Sequence, residues 1–290
     1  MEIQWLKAFL AIAERGSVSE GATQLHLTQP AVSKRLAALE QQLGATLFNR
    51  IGRRLQLTDA GRVLLPRARH ILNEISDAER ELRALSNSVS GSLRIATSHH
   101  VGLHHLPPVL REFSNRYPEV ALDIDFLDSE QAYEALMAAK YELAVVTLAL
   151  KEYPHLNAQV IWPDPCVVVA APEHPLTKIP ALELADLADY PAILPDLNTY
   201  TGRLIKREFD AQGLKLSAKL ATNFLETIKM MACVGLGWSV LPHTLVDESL
   251  AVLPVKKLQV LRNLGVISHR GRTLSNAASA LQEMLFEAAN

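Results

Sequence analysis

Gln29, Ser33 and Lys34 place an amide, a hydroxyl and a cation on the outward face of one short helical pattern. At the N-terminal end of a helix such groups suit the major groove of DNA, where they reach base edges and phosphates. Arg50, Arg53 and Arg54 follow around Ile51 and Gly52, the composition of a hairpin tip whose guanidinium groups can neutralise phosphates without reading sequence. A solvated face and a cationic loop are the plain alternatives for these two groups.

A second set of polar residues lies at the ends of strand-like runs or the starts of helical ones: Thr97, Ser98, His99, His100, Ser129, Thr147, Asn198, Thr199, Thr201 and Glu226. Open α/β sheets collect ligands at those ends, where helix N-termini expose unsatisfied N–H groups. Each is equally readable as a helix cap. His99, His100, His104 and His105 include the four-residue spacing of a helical metal pair, but no Cys or acidic ligand is near in sequence. No metal and no cofactor is therefore expected; one or two of these histidines would hydrogen-bond an anionic ligand while the others cap or pack.

No catalytic constellation emerges, neither paired carboxylates nor a nucleophile with its base. Gly235-Leu236-Gly237 lacks a third glycine and follows a helix, so it is no dinucleotide fingerprint. Cys166 and Cys233 read as small core residues without the cationic setting that favours a thiolate. The chain is not expected to be an enzyme. A solute-binding protein, the other reading of the C-terminal part, would need a secretion signal and no basic N-terminal region.

The elements that must position these groups follow from periodicity. Ile3, Leu6, Leu10 and Ala13 stripe a first helix. Ser17 caps a second, with Val18, Ala22 and Leu25 on one face. Thr28 caps a third from about Gln29, with Pro30 tolerated in its first turn and Val32, Leu36, Leu39 and Leu43 turned to a core. Gly44 ends it. From Thr58 a long helix carries Leu64, Ala68, Ile71, Ile75, Ala78, Leu82 and Leu85 at alternating spacings of four and three, a heptad seam that asks for a partner helix. Pro66 lies inside it, and 87–91 breaks it as a hinge.

Beyond the hinge, strand-like runs at 93–96, 120–124, 143–146, 167–170, 192–194, 219–221, 239–241 and 264–268 alternate with helical patterns at 106–113, 132–139, 202–212, 224–234 and 275–288. This alternation implies a mostly parallel sheet covered on both faces.

The string LTQPAVSKRLAALEQQLGATLFNR, followed by LTDAG at 57–61, closely resembles the winged helix-turn-helix of LysR-type transcriptional regulators. The resemblance covers the first 65 or so residues densely and continues loosely to the end. It implies an α/β protein overall: a winged helix-turn-helix at 1–58 with the helix-turn-helix at about 18–37, and a linker and dimerisation helix with hinge at 58–90. A two-lobed, periplasmic-binding-protein-like effector domain would follow at 91–290. Its first lobe would hold about 91–162 and 265–290, its second about 163–264. It makes the arginine tip the wing, with Thr28, Pro30 and Arg35 joining the DNA-binding set, and makes the cleft between the lobes an inducer site. The expected partners are double-stranded promoter DNA, a second copy in a dimer or a dimer of dimers, a small-molecule inducer of anionic or hydroxylated character, and RNA polymerase if the protein is an activator.

The charge distribution agrees. Over the 290 residues the net charge is −2, yet residues 1–70 carry ten Lys or Arg against five Asp or Glu, and the rest 19 against 26. The longest apolar run near the start, 8–13, is flanked by Lys7 and Glu14, unlike a secretory segment, and nothing approaches a membrane span. With two cysteines in so long a chain, a reducing cytoplasm is the expected location and a membrane partner is not expected.

Overall fold

The computed structural model of the protein describes residues 1–51, 54–84, 88–216, 218–256 and 258–289. The chain forms two compact units, Met1–Ser86 and Asn87–Asn290.

In the first unit α1 (Ile3–Arg15) ends at Gly16, whose φ of 67° is the left-handed conformation that favours glycine. Ser17 then caps α2 (Val18–Gln24) by accepting the Glu20 N–H. Gly21 sits so close to α1 that a Cβ there would meet the backbone of Ala11 and Ile12 at 3.1–3.3 Å, which fixes how tightly the two helices cross. The chain turns at His26, φ 52°, into α3 (Gln29–Leu43).

Two details of α3 depart from the sequence reading. Thr28 makes no side-chain cap bond; Pro30, in the first turn, has removed one of the N–H groups a cap would meet. Leu43 is 43% exposed rather than buried, because the chain turns away at Gly44 and Leu47 takes the core position beside Leu39. The Glu40 carboxylate holds that turn by accepting the Leu47 N–H at 2.7 Å.

The strands β1 (Phe48–Ile51) and β2 (Arg54–Leu57) pair antiparallel with Phe48 opposite Leu57. Thr58 Oγ1 accepts the Gly61 N–H at 3.0 Å at the start of α4 (Asp59–Ala84), which runs through Pro66 without interruption. The core of this unit joins Leu6, Phe9, Leu39, Leu47 and Ala68, with Ala8, Ile12, Ala22 and Val32 beneath the helix-turn-helix.

The second unit runs β3 (Gly91–Thr97), α5 (His99–His104), α6 (Leu106–Arg116), β4 (Val120–Phe126), α7 (Ser129–Met137), β5 (Leu143–Thr147), β6 (Leu156–Ala170), α8 (Leu184–Ala188), β7 (Ala192–Leu194), α9 (Tyr200–Asp210), β8 (Ala218–Ala221), α10 (Leu225–Cys233), β9 (Ser239–Pro242), β10 (Ala251–Leu253), β11 (Val260–His269) and α11 (Asn276–Glu287). The main sheet has the order β10-β6-β11-β5-β3-β4, with β9 also on β6, while β7 and β8 pair separately.

The sheet is mixed, where the alternating pattern predicts a mostly parallel one. Strand β3 is parallel to β4 and β5, but β11 is antiparallel to β5 and β6, and β6 to β9 and β10. The cause is β6 and β11, 15 and 10 residues long, which run past each other from one end of the unit to the other. Their register slips between Leu264 and Gly265, next to the pairing of Trp162 with Leu264.

Either side of that slip lies a separate hydrophobic core. One lobe buries Leu93, Ile95, Phe113, Leu143 and Leu281 on one face of its strands and Ala96, Tyr133, Val146 and Ile267 on the other. The other lobe buries Leu194, Phe209 and Trp238 on one face and Ile193, Ile228 and Leu241 on the other. Trp238 satisfies its indole N–H on the carbonyls of Leu187 and Tyr190, as a buried donor must. Among the described residues no helix is long and apolar enough to cross a membrane.

Candidate DNA face and candidate ligand cleft

In the first unit the buried stripe of α3, Val32 and Leu39, turns the opposite face to solvent. Thr28, Gln29, Pro30, Ser33 and Lys34 are all exposed. Gln29 is steadied by the Ser19 hydroxyl, which donates to its Oε1 at 3.2 Å. Arg35 is half-buried, with its guanidinium on Gln4 of α1 at 3.4 Å. Arg50 is exposed at the end of β1; Arg53 lies outside the described residues, as does the side chain of Arg54.

The seam of α4 divides. Leu64, Ala68 and Ile71 pack into the unit's own core, with Ala68 fully buried, because α1 lies across that part of the helix. Ala68 therefore offers nothing to a partner. Farther along, Ile75 is half-buried, Ala78 is exposed and Leu82 is 71% exposed, and Leu85 lies outside the described residues. A groove between α1 and α4 is lined by Met1, Ile3, Leu72 and Ile75.

In the second unit a cavity of about 240 Å³ opens between the two lobes. Of the residues singled out from sequence, Ser98, His99, His100, Ser129, Thr147, Thr199 and Thr201 line it. Three do not. Thr97 is fully buried, and its hydroxyl donates to the Val145 carbonyl at 2.8 Å inside the sheet. Asn198 has its backbone N–H on the Asp196 carboxylate, in the turn before α9. Glu226 stands beside the cavity and is taken up by histidines.

The sequence reading missed Asp128, Glu130, Tyr200, Asn223 and Arg262, all of which line the cavity. Asp128 and Glu130 flank Ser129 at the start of α7, a signal that was available; Arg262, a single cation in a strand pattern, carried none. Arg262 and Asp164 face each other across β11 and β6, 3% and 2% exposed, and form a buried ion pair with the guanidinium Nε 2.9 Å from Asp164 Oδ2. The same guanidinium reaches Thr201 Oγ1 at 3.4 Å.

Several bonds cross from lobe to lobe at the cavity. Asn223 donates to Asp128 at 2.8 Å. The Glu130 carboxylate accepts the Tyr200 N–H at the start of α9, and Arg203 stands 3.8 Å away; burial nonetheless raises the Glu130 carboxyl above the usual range. The Tyr200 ring is buried in the first lobe's core, edge-on to Tyr133, with its hydroxyl 3.1 Å from that of Tyr153. Gly202 permits this, since a Cβ there would run into the Asp196 carbonyl.

The histidines gather around Glu226 in the first turn of α10. Its Oε1 lies 2.9 Å from His104 Nε2 and its Oε2 3.2 Å from His99 Nδ1. His100, buried beneath, lies 3.7 Å from the same carboxylate. Burial, with the Arg262 charge adding to it, pushes the His100 imidazole down to about 3. His105 is lowered by burial as well and packs against Trp162. Burial pushes the Cys166 thiol up to about 11, away from thiolate chemistry.

Residues 3–62 match the model of the bacterial regulatory helix-turn-helix protein, lysR family, and residues 86–290 that of the LysR substrate binding domain. The RuBisCO operon transcriptional regulator of Allochromatium vinosum is 30% identical over 294 residues, covering all of this chain and 97% of that protein. Among solved structures, full-length OxyR from Pseudomonas aeruginosa superposes with a TM-score of 0.69 at 19% identity, over 100% of this chain and 97% of that one. Full-length CbnR in complex with its target DNA does so with a TM-score of 0.67 at 21% identity, over the whole of both chains. At these identities the two structures speak for the fold alone. With an exposed recognition-type helix in one unit, a polar cleft between lobes in the other, and family models that together span nearly the whole sequence, the chain belongs to the LysR family of transcriptional regulators, whose substrate-binding domain makes their activity answer to a small molecule.

Proposed function

We propose that this protein reads promoter DNA as a homodimer, with Gln29, Ser33 and Lys34 at base edges and Thr28, Arg35, Arg50, Arg53 and Arg54 at phosphates. The observation that carries the reading is the exposed N-terminal end of α3 above a fully buried Val32. Arg35 reaches a phosphate only by leaving Gln4. The wing and helix-turn-helix occupy 1–58 and the linker 58–90, with the effector domain at 91–290 divided into lobes near 162 and 264.

The exposed part of the α4 seam, Ile75 to Leu82, takes the same helix of a second copy, and two dimers form a tetramer. Dimerisation sets the reading heads one helical turn of duplex apart, roughly 34 Å, or a multiple. The inducer is a small hydroxylated metabolite held by Ser98, Ser129, Thr147, Thr199 and Thr201. An acidic inducer must first displace the Glu130 carboxylate from the N-terminus of α9, because that carboxylate already accepts the Tyr200 N–H. Binding favours one lobe arrangement and so one spacing or bend of the DNA. The protein acts in the cytoplasm, without catalysis, and contacts RNA polymerase if it activates.

The test is a gel shift of the full chain on DNA from upstream of its own gene and on random duplex. Ser33→Ala with Lys34→Ala should cost specific binding about 2–6 kcal/mol, at roughly 1–3 kcal/mol for each lost base contact, and non-specific binding far less. Equal losses on both duplexes would refute base reading.

A further inference from the structure

His100 is 5% exposed, and among the described residues neither of its ring nitrogens has a hydrogen-bond partner. A neutral imidazole carries one N–H and one lone pair, and leaving both unmet in the interior is costly, so such a ring calls for an explanation. The surroundings supply one. Its Nδ1 points at Glu226 Oε1, 3.7 Å away, and the same oxygen lies 2.9 Å from His104 Nε2. The donor atoms of His100, His104 and Glu226 all lie within 4.8 Å of one another.

We propose that His100, His104 and Glu226 form a binding site for a divalent transition-metal ion, zinc in the first place, that joins the two lobes beside the cavity. A tetrahedral zinc with bonds near 2.1 Å sets its ligand atoms about 3.4 Å apart. The two distances to the carboxylate, 2.9 and 3.7 Å, bracket that value, and the donor atoms of the two imidazoles lie within 4.8 Å of each other, so side-chain rotations that draw the imidazoles together close the site. Two imidazoles and one carboxylate suit zinc, copper or nickel, and not calcium or magnesium, which want oxygen.

The neighbours have the placement that outer ligands of such sites take. His99 Nδ1 holds the second carboxylate oxygen of Glu226 at 3.2 Å and so orients it. His100 Nε2 lies 4.0 Å from Asp164 Oδ2, on the side away from Glu226, where a carboxylate would accept the ring's other proton. A rival set, His100, His105 and Asp164, is also close enough, but Asp164 is already engaged by Arg262. The sequence alone hid the site because the acidic ligand comes from 122 residues beyond His104.

Three protein ligands leave a fourth position. His99 and His100 also line the cavity, so that position is open to water or to a donor atom of a molecule bound there. The histidines are carried by α5 of one lobe and Glu226 by α10 of the other, and the ion ties the lobes together. The three protein ligands suffice to hold the ion with water in the fourth position, so the site can be tested with the cleft empty of any organic inducer.

Isothermal titration of Zn2+ into the untagged, chelator-stripped full chain tests this, with Co2+ absorption reporting a tetrahedral N/O site. One ion per chain is expected, with Zn2+ raising the thermal unfolding midpoint. His104→Ala and Glu226→Gln should each weaken binding by at least about 100-fold, and His99→Gln by about 10-fold, as outer-shell changes do. His243→Ala, at an exposed histidine elsewhere, should leave it unchanged. His104 and Glu226 are partly exposed, so these variants fold, and circular dichroism checks that they do. No Zn2+ uptake by the wild-type chain at 100-fold molar excess, or wild-type uptake by both His104→Ala and Glu226→Gln, would overturn the proposal.

Discussion

Asp164→Asn is the substitution whose cost the structure defines most sharply. It leaves the Arg262 guanidinium, 3% exposed on β11, without its counter-charge, and removing one member of a buried pair costs about 3–5 kcal/mol. For a unit of this size each kcal/mol moves the unfolding midpoint by about 2–4 °C, so the loss should be roughly 6–20 °C by circular dichroism. The isosteric amide keeps the volume, which removes cavity formation as a cause. Asp164→Leu combined with Arg262→Met takes away both charges, and this double variant should return to within about 1 kcal/mol of wild type or exceed it. Urea unfolding of wild type, Asp164→Leu, Arg262→Met and the double variant closes the cycle that gives the coupling energy. An Asp164→Asn midpoint within 2 °C of wild type, or a double variant as unstable as the single, would refute the account of a desolvated pair at the place where β6 and β11 pass between the lobes.

Ile75→Asp with Leu82→Asp charges the exposed part of the α4 seam while sparing Leu64, Ala68 and Ile71, which the unit's own core uses; sedimentation should show monomers, and persistent dimers would place the interface elsewhere. Ser98→Ala and Thr201→Val should abolish the response of a promoter reporter in cells while DNA affinity in the gel shift stays within about twofold of wild type, and an unchanged response would remove these hydroxyls from the inducer's contacts.

The helix-turn-helix was legible almost to the residue because its rules are local. Ser17 caps, Gly44 stops and the Val32–Leu39 spacing sets the face, each within one or two turns of chain. Leu43 escaped because its burial depends on where the chain goes after Gly44, which the helical period does not encode. The heptad seam is a related case: one apolar stripe packs on α1 over its first half and stays exposed over its second, a division that the period alone does not encode. In the second unit the alternation of elements was legible but strand direction was not. Long crossing strands such as β6 read as short apolar runs once prolines at 163 and 165 interrupt the pattern. At the cleft, strand-end hydroxyls were found by position, whereas Tyr200 and Asn223 owe their place to pairings made across the lobes, and Arg262 to its ion pair with Asp164 across β11 and β6.

Those pairings also say how the cleft can act as a switch. Glu130 on the Tyr200 N–H, Asn223 on Asp128 and Tyr200 on Tyr153 all join one lobe to the other at the cavity's edge. A ligand with equal affinity for every lobe arrangement shifts nothing, however tightly it binds, so an inducer must either make contacts to both lobes that exist in one arrangement only or displace these bonds. One that competes for the α9 N-terminus or for Asn223 must break a cross-lobe bond to enter, at roughly 0.5–1.5 kcal/mol each, and so distinguishes the arrangements by about that much per bond. Two such exchanges give a bias of about 1–3 kcal/mol, the usual size of a coupling free energy between sites. On the proposed function, Glu130 and Asn223, whose cross-lobe bonds an occupant can displace, join the hydroxyls of the two lobes as the groups through which inducer binding becomes a change of state.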